Sequence, residues 1–167
     1  AKVSKTDSGT FTVTTDKGSY EAKTVLVTTG SHRRKLDIPG AEQFENKGIT
    51  YCASCDGPLF SGQDVVVIGG GNAGFETSAQ LLAYAKSVTM LNRSTEFKAD
   101  PVTVEKVTSH PNMKVIMNAI PVEVKGDKFV SAVVYEDAET KVRTELPTGG
   151  IFVEIGLLPS TEFAKEV

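Results

Sequence analysis

Near the start of the chain, polar and apolar residues alternate, or give way to β-branched runs, on both sides of Asp16-Lys17-Gly18-Ser19. Period-two patterning around a glycine-containing turn predicts a hairpin with strands at residues 11–15 and 20–28. Thr28-Thr29-Gly30 ends the second strand, and the polar, basic residues 31–35 run as a loop into Ile38-Pro39-Gly40. A boundary between domains is expected at residues 31–37, where periodic structure yields to turn chemistry.

From residue 65 the pattern changes. Val65-Val66-Val67-Ile68 is aliphatic without interruption, the pattern of a parallel strand buried on both faces. A glycine turn follows, then a predicted helix over 73–85 and a strand over 88–91. Asp100-Pro101 supplies an N-cap with proline at the first helical position, so a second helix is expected to run to residue 109, ahead of Pro111. A third parallel strand is predicted at 113–117. Met90, Met113 and Met117 fall at packing positions of these strands. Beyond them, segments 121–125, 129–136 and 141–146, separated by turn residues such as Gly126-Asp127, predict an antiparallel meander. Gly149-Gly150 then turns into an apolar strand over 151–155 that returns beside the first parallel strand. The predicted fold class is therefore α/β: a Rossmann-like parallel sheet with helices, an antiparallel β-meander, and strands of a separate opening layer.

Composition narrows the function only by exclusion. The 167 residues suit one domain, or one with appendages, and 40% hydrophobic with 23% charged residues is ordinary for a globular protein. A net charge of −3 supplies no basic field, so no nucleic-acid partner is expected. The longest aliphatic run, 65–68, falls far short of the roughly 20 residues of a spanning helix, and no signal-peptide pattern opens the chain. No membrane association and a cytoplasmic location are the expectations. Because the sequence opens on Ala1 within a strand-like segment and stops without a closing element, flanking sequence is expected on both sides.

Two motifs carry chemistry. Gly69-Gly70-Gly71-Asn72-Ala73-Gly74 satisfies G-x-G-x-x-G between a buried strand and a helix. In that context Gly69 permits the tight turn, Gly71 lets the backbone approach a diphosphate, and Gly74 lets helix and strand pack closely. An NAD site places an acid about 20 residues further on; Asn92 stands there instead. Arg93 and Lys98 lie just beyond it and suit a ribose 2′-phosphate, with Glu96 between them as a competing partner for either cation. The second motif is Cys52-Ala53-Ser54-Cys55, which holds both cysteines of the chain. Its spacing allows an intra-turn disulfide. A structural zinc ion needs four ligands, and neither His32 nor His110 is spaced as a partner. Asp56, beside the second sulfur, is a candidate proton donor or acceptor for thiol exchange. Two unrelated inert cysteines and an Asp56 that only ends a turn remain the plainer alternatives. His32 reads as a solvated loop residue and His110 as a cation at a helix C-terminus.

Cys52-Ala53-Ser54-Cys55-Asp56-Gly57, then Val65-Val66-Val67-Ile68-Gly69-Gly70-Gly71-Asn72, then Gly150-Ile151-Phe152-Val153-Glu154-Ile155-Gly156-Leu157-Leu158-Pro159 together resemble the thioredoxin reductase family, the class II pyridine nucleotide-disulfide oxidoreductases. Cys55-Asp56-Gly57-Pro58-Leu59-Phe60 and Gly156-Leu157-Leu158-Pro159 are similar to the flavoprotein component of alkyl hydroperoxide reductase. The resemblance implies a flavoprotein in which a nucleotide domain carrying the dithiol is inserted into an FAD domain. Residues 1–36 and 158–167 would then belong to the FAD domain and 37–157 to the NAD(P)H domain, with Thr29 and Gly30 beside the flavin. It further implies that NAD(P)H reduces FAD, that FAD reduces a Cys52–Cys55 disulfide, and that the dithiol reduces a thioredoxin-like protein or a peroxiredoxin. Cys55 would face the flavin, Cys52 would attack the partner, and Asp56 would be the acid–base residue. Gly69, Gly71, Asn72, Ala73, Gly74, Ile155 and Gly156 would line the nucleotide. Arg93 and Lys98 align with the family's readers of the 2′-phosphate, whereas Asn92 and Ser94 replace a His and an Arg. In the hydroperoxide reductase relatives an acid takes the place of Asn92, so the cofactor is NADP or NAD. Gly74 replaces a commoner Ala. A homodimer is implied for the full-length protein, with the isolated chain inactive. The alternative is a dinucleotide-binding module without redox turnover; a thioredoxin-like carrier is disfavoured because the dithiol precedes a βαβ unit.

Overall fold

The computed structural model describes residues 1–165 and 167. They form two units, one of residues 1–34 with 157–167 and one of residues 35–156.

In the first unit, β1 (Lys2–Lys5), β2 (Phe11–Thr15) and β3 (Gly18–Ala22) form an antiparallel sheet in sequence order. Thr15 pairs with Gly18, so the hairpin turns on Asp16-Lys17 alone, and Gly18 takes the positive φ (139°) that follows it. The strand predicted over 20–28 ends at Ala22. Among the described residues nothing pairs with 23–28, and Leu26 and Val27 are exposed; a β-branched run becomes a strand only where a neighbour supplies the other half of the ladder. The opposite correction applies at 31–35. Predicted as loop, this stretch contains β4 (Ser31–Arg33), antiparallel to the strand Leu157–Pro159, with His32 opposite Leu158. Ladder bonds are made by the backbone and tolerate polar side chains, so a partner some 125 residues away in sequence could not be read locally.

The second unit is built on a five-stranded parallel sheet, ordered β5 (Ile49–Thr50), β12 (Gly150–Val153), β6 (Asp64–Ile68), β7 (Ser87–Leu91) and β8 (Met113–Ile116). Side chains alternate across it. Val65, Val67, Val88, Met90 and Phe152 face one core, shared with Phe75 and Leu81 of helix α2 (Asn72–Leu81) and Val107 of α3 (Pro101–Thr108). Val66, Ile68, Leu91, Ile151 and Val153 face the other. That core is closed by Leu36, Ala41 and Phe44 and by the meander β9 (Ala119–Gly126), β10 (Val130–Asp137) and β11 (Arg143–Pro147). Burial on both faces is why β6 carries no polar residue after Asp64, and each such side chain contributes about 1.5–3 kcal/mol. The strand predicted at 151–155 lies beside β6 as expected and stops at Val153.

Helix α3 starts as predicted: the Asp100 carboxylate accepts from the Thr103 amide at 3.0 Å, and Pro101 opens the first turn. Helix α2 stops at Leu81, four residues early. The amide of Gly62 bonds to the carbonyl of Tyr84 and that of Lys86 to the carbonyl of Gln63, so residues 84–86 are drawn into the approach to β7 rather than into another turn. A further short helix, α1 (Ala53–Asp56), carries the cysteines, followed by a 3₁₀ turn at Gly57–Phe60. His110 lies beyond the end of α3, where its Nδ1 accepts from the Asn112 amide.

Candidate functional site: a glycine cradle and a dithiol on one sheet

The glycine turn sits at the carboxyl end of β6, where open parallel sheets receive ligands. A Cβ added at Gly69, whose φ is 125°, would lie 2.2 Å from the carbonyl oxygen of Glu154. One added at Gly74 would lie 1.9 Å from the carbonyl oxygen of Gly69. Both glycines are therefore demanded by the chain's own packing. Gly71 is different. Its φ of −97° and ψ of −179° are extended backbone open to any residue, and the nearest atom to an added Cβ is the Lys98 carbonyl oxygen at 3.7 Å. Nothing in the fold requires glycine there. As N-cap of α2 it brings no side chain to the unpaired amides of the first turn, which carry the positive end of the helix dipole.

The loop after β7 lies across this turn. Asn92 is 4% exposed, and its amide nitrogen donates to the carbonyls of Ser94 (2.9 Å) and Glu96 (3.0 Å), with the Met117 sulfur at 3.5 Å. Its Oδ1 faces Gly70, where a Cβ would come within 2.4 Å. The Lys98 amide bonds to the Gly70 carbonyl at 3.0 Å, and Asn72 Oδ1 accepts from the Asp100 amide at 2.7 Å. Phe97 packs edge-on against Phe75, with ring centroids 4.9 Å apart. Asn72, which the resemblance expects to line the nucleotide, and Asn92, at the position of the acid, both hold this loop in place, a task their position alone did not signal. Arg93 and Lys98 are exposed at either end of the loop. Across the turn, the amide of Glu154 bonds to the Ile68 carbonyl, and its carboxylate accepts from Thr77 of α2 at 2.8 Å. Ile155 packs on the meander-side core, and Gly156 takes a φ of 105° with open space around it. The structure therefore brings Gly69, Gly71, Asn72, Ala73, Gly74, Asn92, Arg93, Lys98, Ile155 and Gly156 to one edge of the sheet. Thr29 and Gly30 belong to the other unit, where the Thr29 hydroxyl donates to the Ser160 carbonyl (2.6 Å) and the Gly30 carbonyl accepts from the Ser160 amide (2.9 Å).

Cys52 and Cys55 are joined in a disulfide, their Cα atoms 5.3 Å apart. Cys52 caps α1, its sulfur accepting from the Cys55 amide at 3.2 Å. Cys52 is half-buried and Cys55 exposed. Buried Ala53 anchors the short helix in the helix-side core, Ser54 donates to Gln80 of α2 at 2.7 Å, and Gly57 lies against Leu81 and Tyr84. The carboxylate of Asp56 accepts from the hydroxyl of Thr50, at the end of β5, and that hydroxyl oxygen also receives the Cys52 amide at 3.4 Å. Thr50 was not picked out from sequence, because a threonine two residues before a cysteine has no chemical pattern of its own. Tyr51 lies between them; burial pushes its phenol above the ordinary value, and the negative charge of Glu45 adds to the effect. Among the described residues no cluster of His, Cys, Asp or Glu could hold a metal ion.

Comparison with known proteins agrees with this arrangement. The sequence model of the pyridine nucleotide-disulphide oxidoreductases matches residues 1–167. An alkyl hydroperoxide reductase protein of Staphylococcus epidermidis is 42% identical over 163 residues, which covers 98% of this chain and 32% of the relative. A Bacillus subtilis protein named NADH dehydrogenase is 44% identical over 145 residues, covering 87% and 28% respectively. Thioredoxin reductase of Lactococcus lactis superposes with a TM-score of 0.83 at 33% identity, covering 97% of this chain and 54% of that one. Thioredoxin reductase of T. acidophilum gives 0.82 at 36%, covering 99% and 54%. The chain spans about a third of the length of these curated relatives and about half of these solved chains. With a family match along its whole length, a glycine cradle and a disulfide on one parallel sheet, this chain belongs to the pyridine nucleotide-disulphide oxidoreductases.

Proposed function

We propose that the chain is the NAD(P)H-binding and redox-dithiol part of an FAD-dependent disulfide reductase that serves a thioredoxin-like protein or a peroxiredoxin. The observation that carries this reading is Gly71: an extended glycine at a helix N-terminus, where an added Cβ would meet nothing closer than the Lys98 carbonyl oxygen at 3.7 Å. Bare backbone amides there suit a diphosphate. Bound NAD(P)H supplies a hydride, and FAD, which we assign to the full-length protein, supplies the conversion of that hydride into an electron pair for a disulfide.

The chain's own residues do the rest. The amides of α2's first turn hold the diphosphate in this reading, Arg93 and Lys98, both exposed, are assigned to a ribose phosphate, and Ile155 and Gly156 are assigned to the nucleotide. Thr29 and Gly30 are assigned to the flavin. Two electrons and two protons open the Cys52–Cys55 bond. Cys52 as thiolate then attacks a partner disulfide, forming one mixed S–S bond and releasing one partner thiol. Cys55 attacks Cys52, restoring the disulfide and releasing the second, while Asp56 carries a proton at the sulfurs. We assign residues 1–36 and 158–167 to the FAD domain and 37–157 to the NAD(P)H domain of a cytoplasmic homodimer; among the described residues no helix is long and apolar enough to cross a membrane.

The isolated chain is expected to bind a dinucleotide without turnover. Titration of the chain with NADPH and with NADH, followed calorimetrically, together with a thiol count before and after dithiothreitol, tests the reading. Saturable binding and two thiols gained on reduction support it; absence of binding for both nucleotides overturns it.

A further inference from the structure

We propose that Thr50 is the positioning residue of the dithiol site, the group that aims the Asp56 carboxylate; this rests on the assignment of proton transfer to Asp56 above. Thr50 is 8% exposed, and its pairing with Phe152 of β12 fixes its backbone while the single turn of α1 brings Asp56 back over it. A threonine hydroxyl has one proton to give. Its oxygen already receives the Cys52 amide at 3.4 Å, so the proton is left for Asp56 Oδ2, which accepts it. One carboxylate oxygen is thereby committed. Among the described residues no hydrogen bond engages the other, Oδ1, which is the oxygen free to exchange a proton with a sulfur. The same hydroxyl touches both the acid and the main chain of the first cysteine, so rotation of the carboxylate away from Thr50 costs a part-buried hydrogen bond.

The probe reaction is oxidation of the dithiothreitol-reduced, desalted chain by excess 5,5′-dithiobis(2-nitrobenzoate), followed by stopped flow. One cysteine thiolate attacks the aromatic disulfide, forming a mixed disulfide and expelling the first aryl thiolate. The second cysteine gives its proton to Asp56, attacks the chain's own sulfur in the mixed disulfide, closes Cys52–Cys55 and expels the second aryl thiolate. Two electrons pass from the dithiol to the probe.

The second phase reads the inference. D56N, which still accepts from Thr50, is expected to slow it by about a hundredfold, the lower range of general acid–base contributions. T50V is expected to slow it by about tenfold, the loss of one hydrogen bond to a charged group, with T50S restoring the rate and T50A repeating the defect if T50V does not fold. In the D56N background, T50V should add nothing, because both act through one carboxylate. An unchanged second phase in D56N removes the role of Asp56 and this inference with it. A slow D56N beside a T50V and T50A at the parent rate leaves Asp56 in place and overturns the inference alone, as does a T50V defect that persists in full on D56N.

Discussion

Replacing Gly74 by alanine tests the cradle's packing, and replacing Gly71 tests its purpose. At position 74 the new Cβ would lie 1.9 Å from the Gly69 carbonyl oxygen, against an ordinary contact of at least 3.4 Å, so helix or turn must move by 1.5 Å, the difference of the two. The obstacle is backbone and cannot rotate away. Overpacking of this kind costs about 1–3 kcal/mol, and the better helix propensity of alanine returns at most about 1 kcal/mol. A net loss of about 1–2 kcal/mol, or a Tm lower by about 2–8 °C, is expected for G74A, with weakened dinucleotide binding as a consequence of the shift. For G71A the nearest atom is 3.7 Å away and φ is already that of an L-residue, so the apo protein should lose only the roughly 0.5–1 kcal/mol of a poorer N-cap. Its ligand response should vanish. Nucleotide at a hundred times its Kd stabilises the parent by about 2.7 kcal/mol, which thermal melts followed by circular dichroism resolve easily. A G71A protein that melts near the parent and retains the full NADPH-induced shift would refute the assignment of the bare backbone to a diphosphate.

Three further outcomes are expected. R93A/K98A should weaken NADPH at least tenfold more than NADH, since each charge-assisted contact to a 2′-phosphate is among the stronger hydrogen bonds; equal losses for the two nucleotides in calorimetry would remove these cations from cofactor choice. N92D exchanges a donor for an acceptor opposite two carbonyls at 2.9 and 3.0 Å, and a destabilisation of about 1–3 kcal/mol in urea unfolding is expected from the buried groups left unpaired. Asp64, held below the usual carboxylate value first by the Ser87 hydroxyl and then by Lys86, contributes stability that is present above about pH 4 and lost as the pH falls through its lowered folded value. D64N should flatten that limb of the stability–pH curve, and a parallel pair of curves would contradict it.

What was legible in the sequence follows from which interactions are local. The aliphatic run of β6, the Asp100-Pro101 start of α3 and the glycine fingerprint each state their environment within a few residues, and the structure places them as read. The polar strand β4 owes its existence to Leu157–Pro159, and the end of β3 to the lack of any neighbour among the described residues, both facts outside a local window. At the site, Asn92 occupied a position where an acid would mark a ligand, and its buried contacts with Ser94, Glu96 and Gly70 give it a supporting role. Thr50 was invisible because its partner, Asp56, meets it only through the turn of α1.

Helix α2 receives the cradle at its first residue and the dithiol turn, through Gln80 and Leu81, at its last. Ten residues at 1.5 Å each make it a strut of about 15 Å, so the spacing between the two chemistries is set by one rigid part and survives changes in the surrounding loops. Anyone transplanting this dithiol onto another parallel-sheet scaffold would have to carry the strut together with its contacts at Gln80 and Leu81.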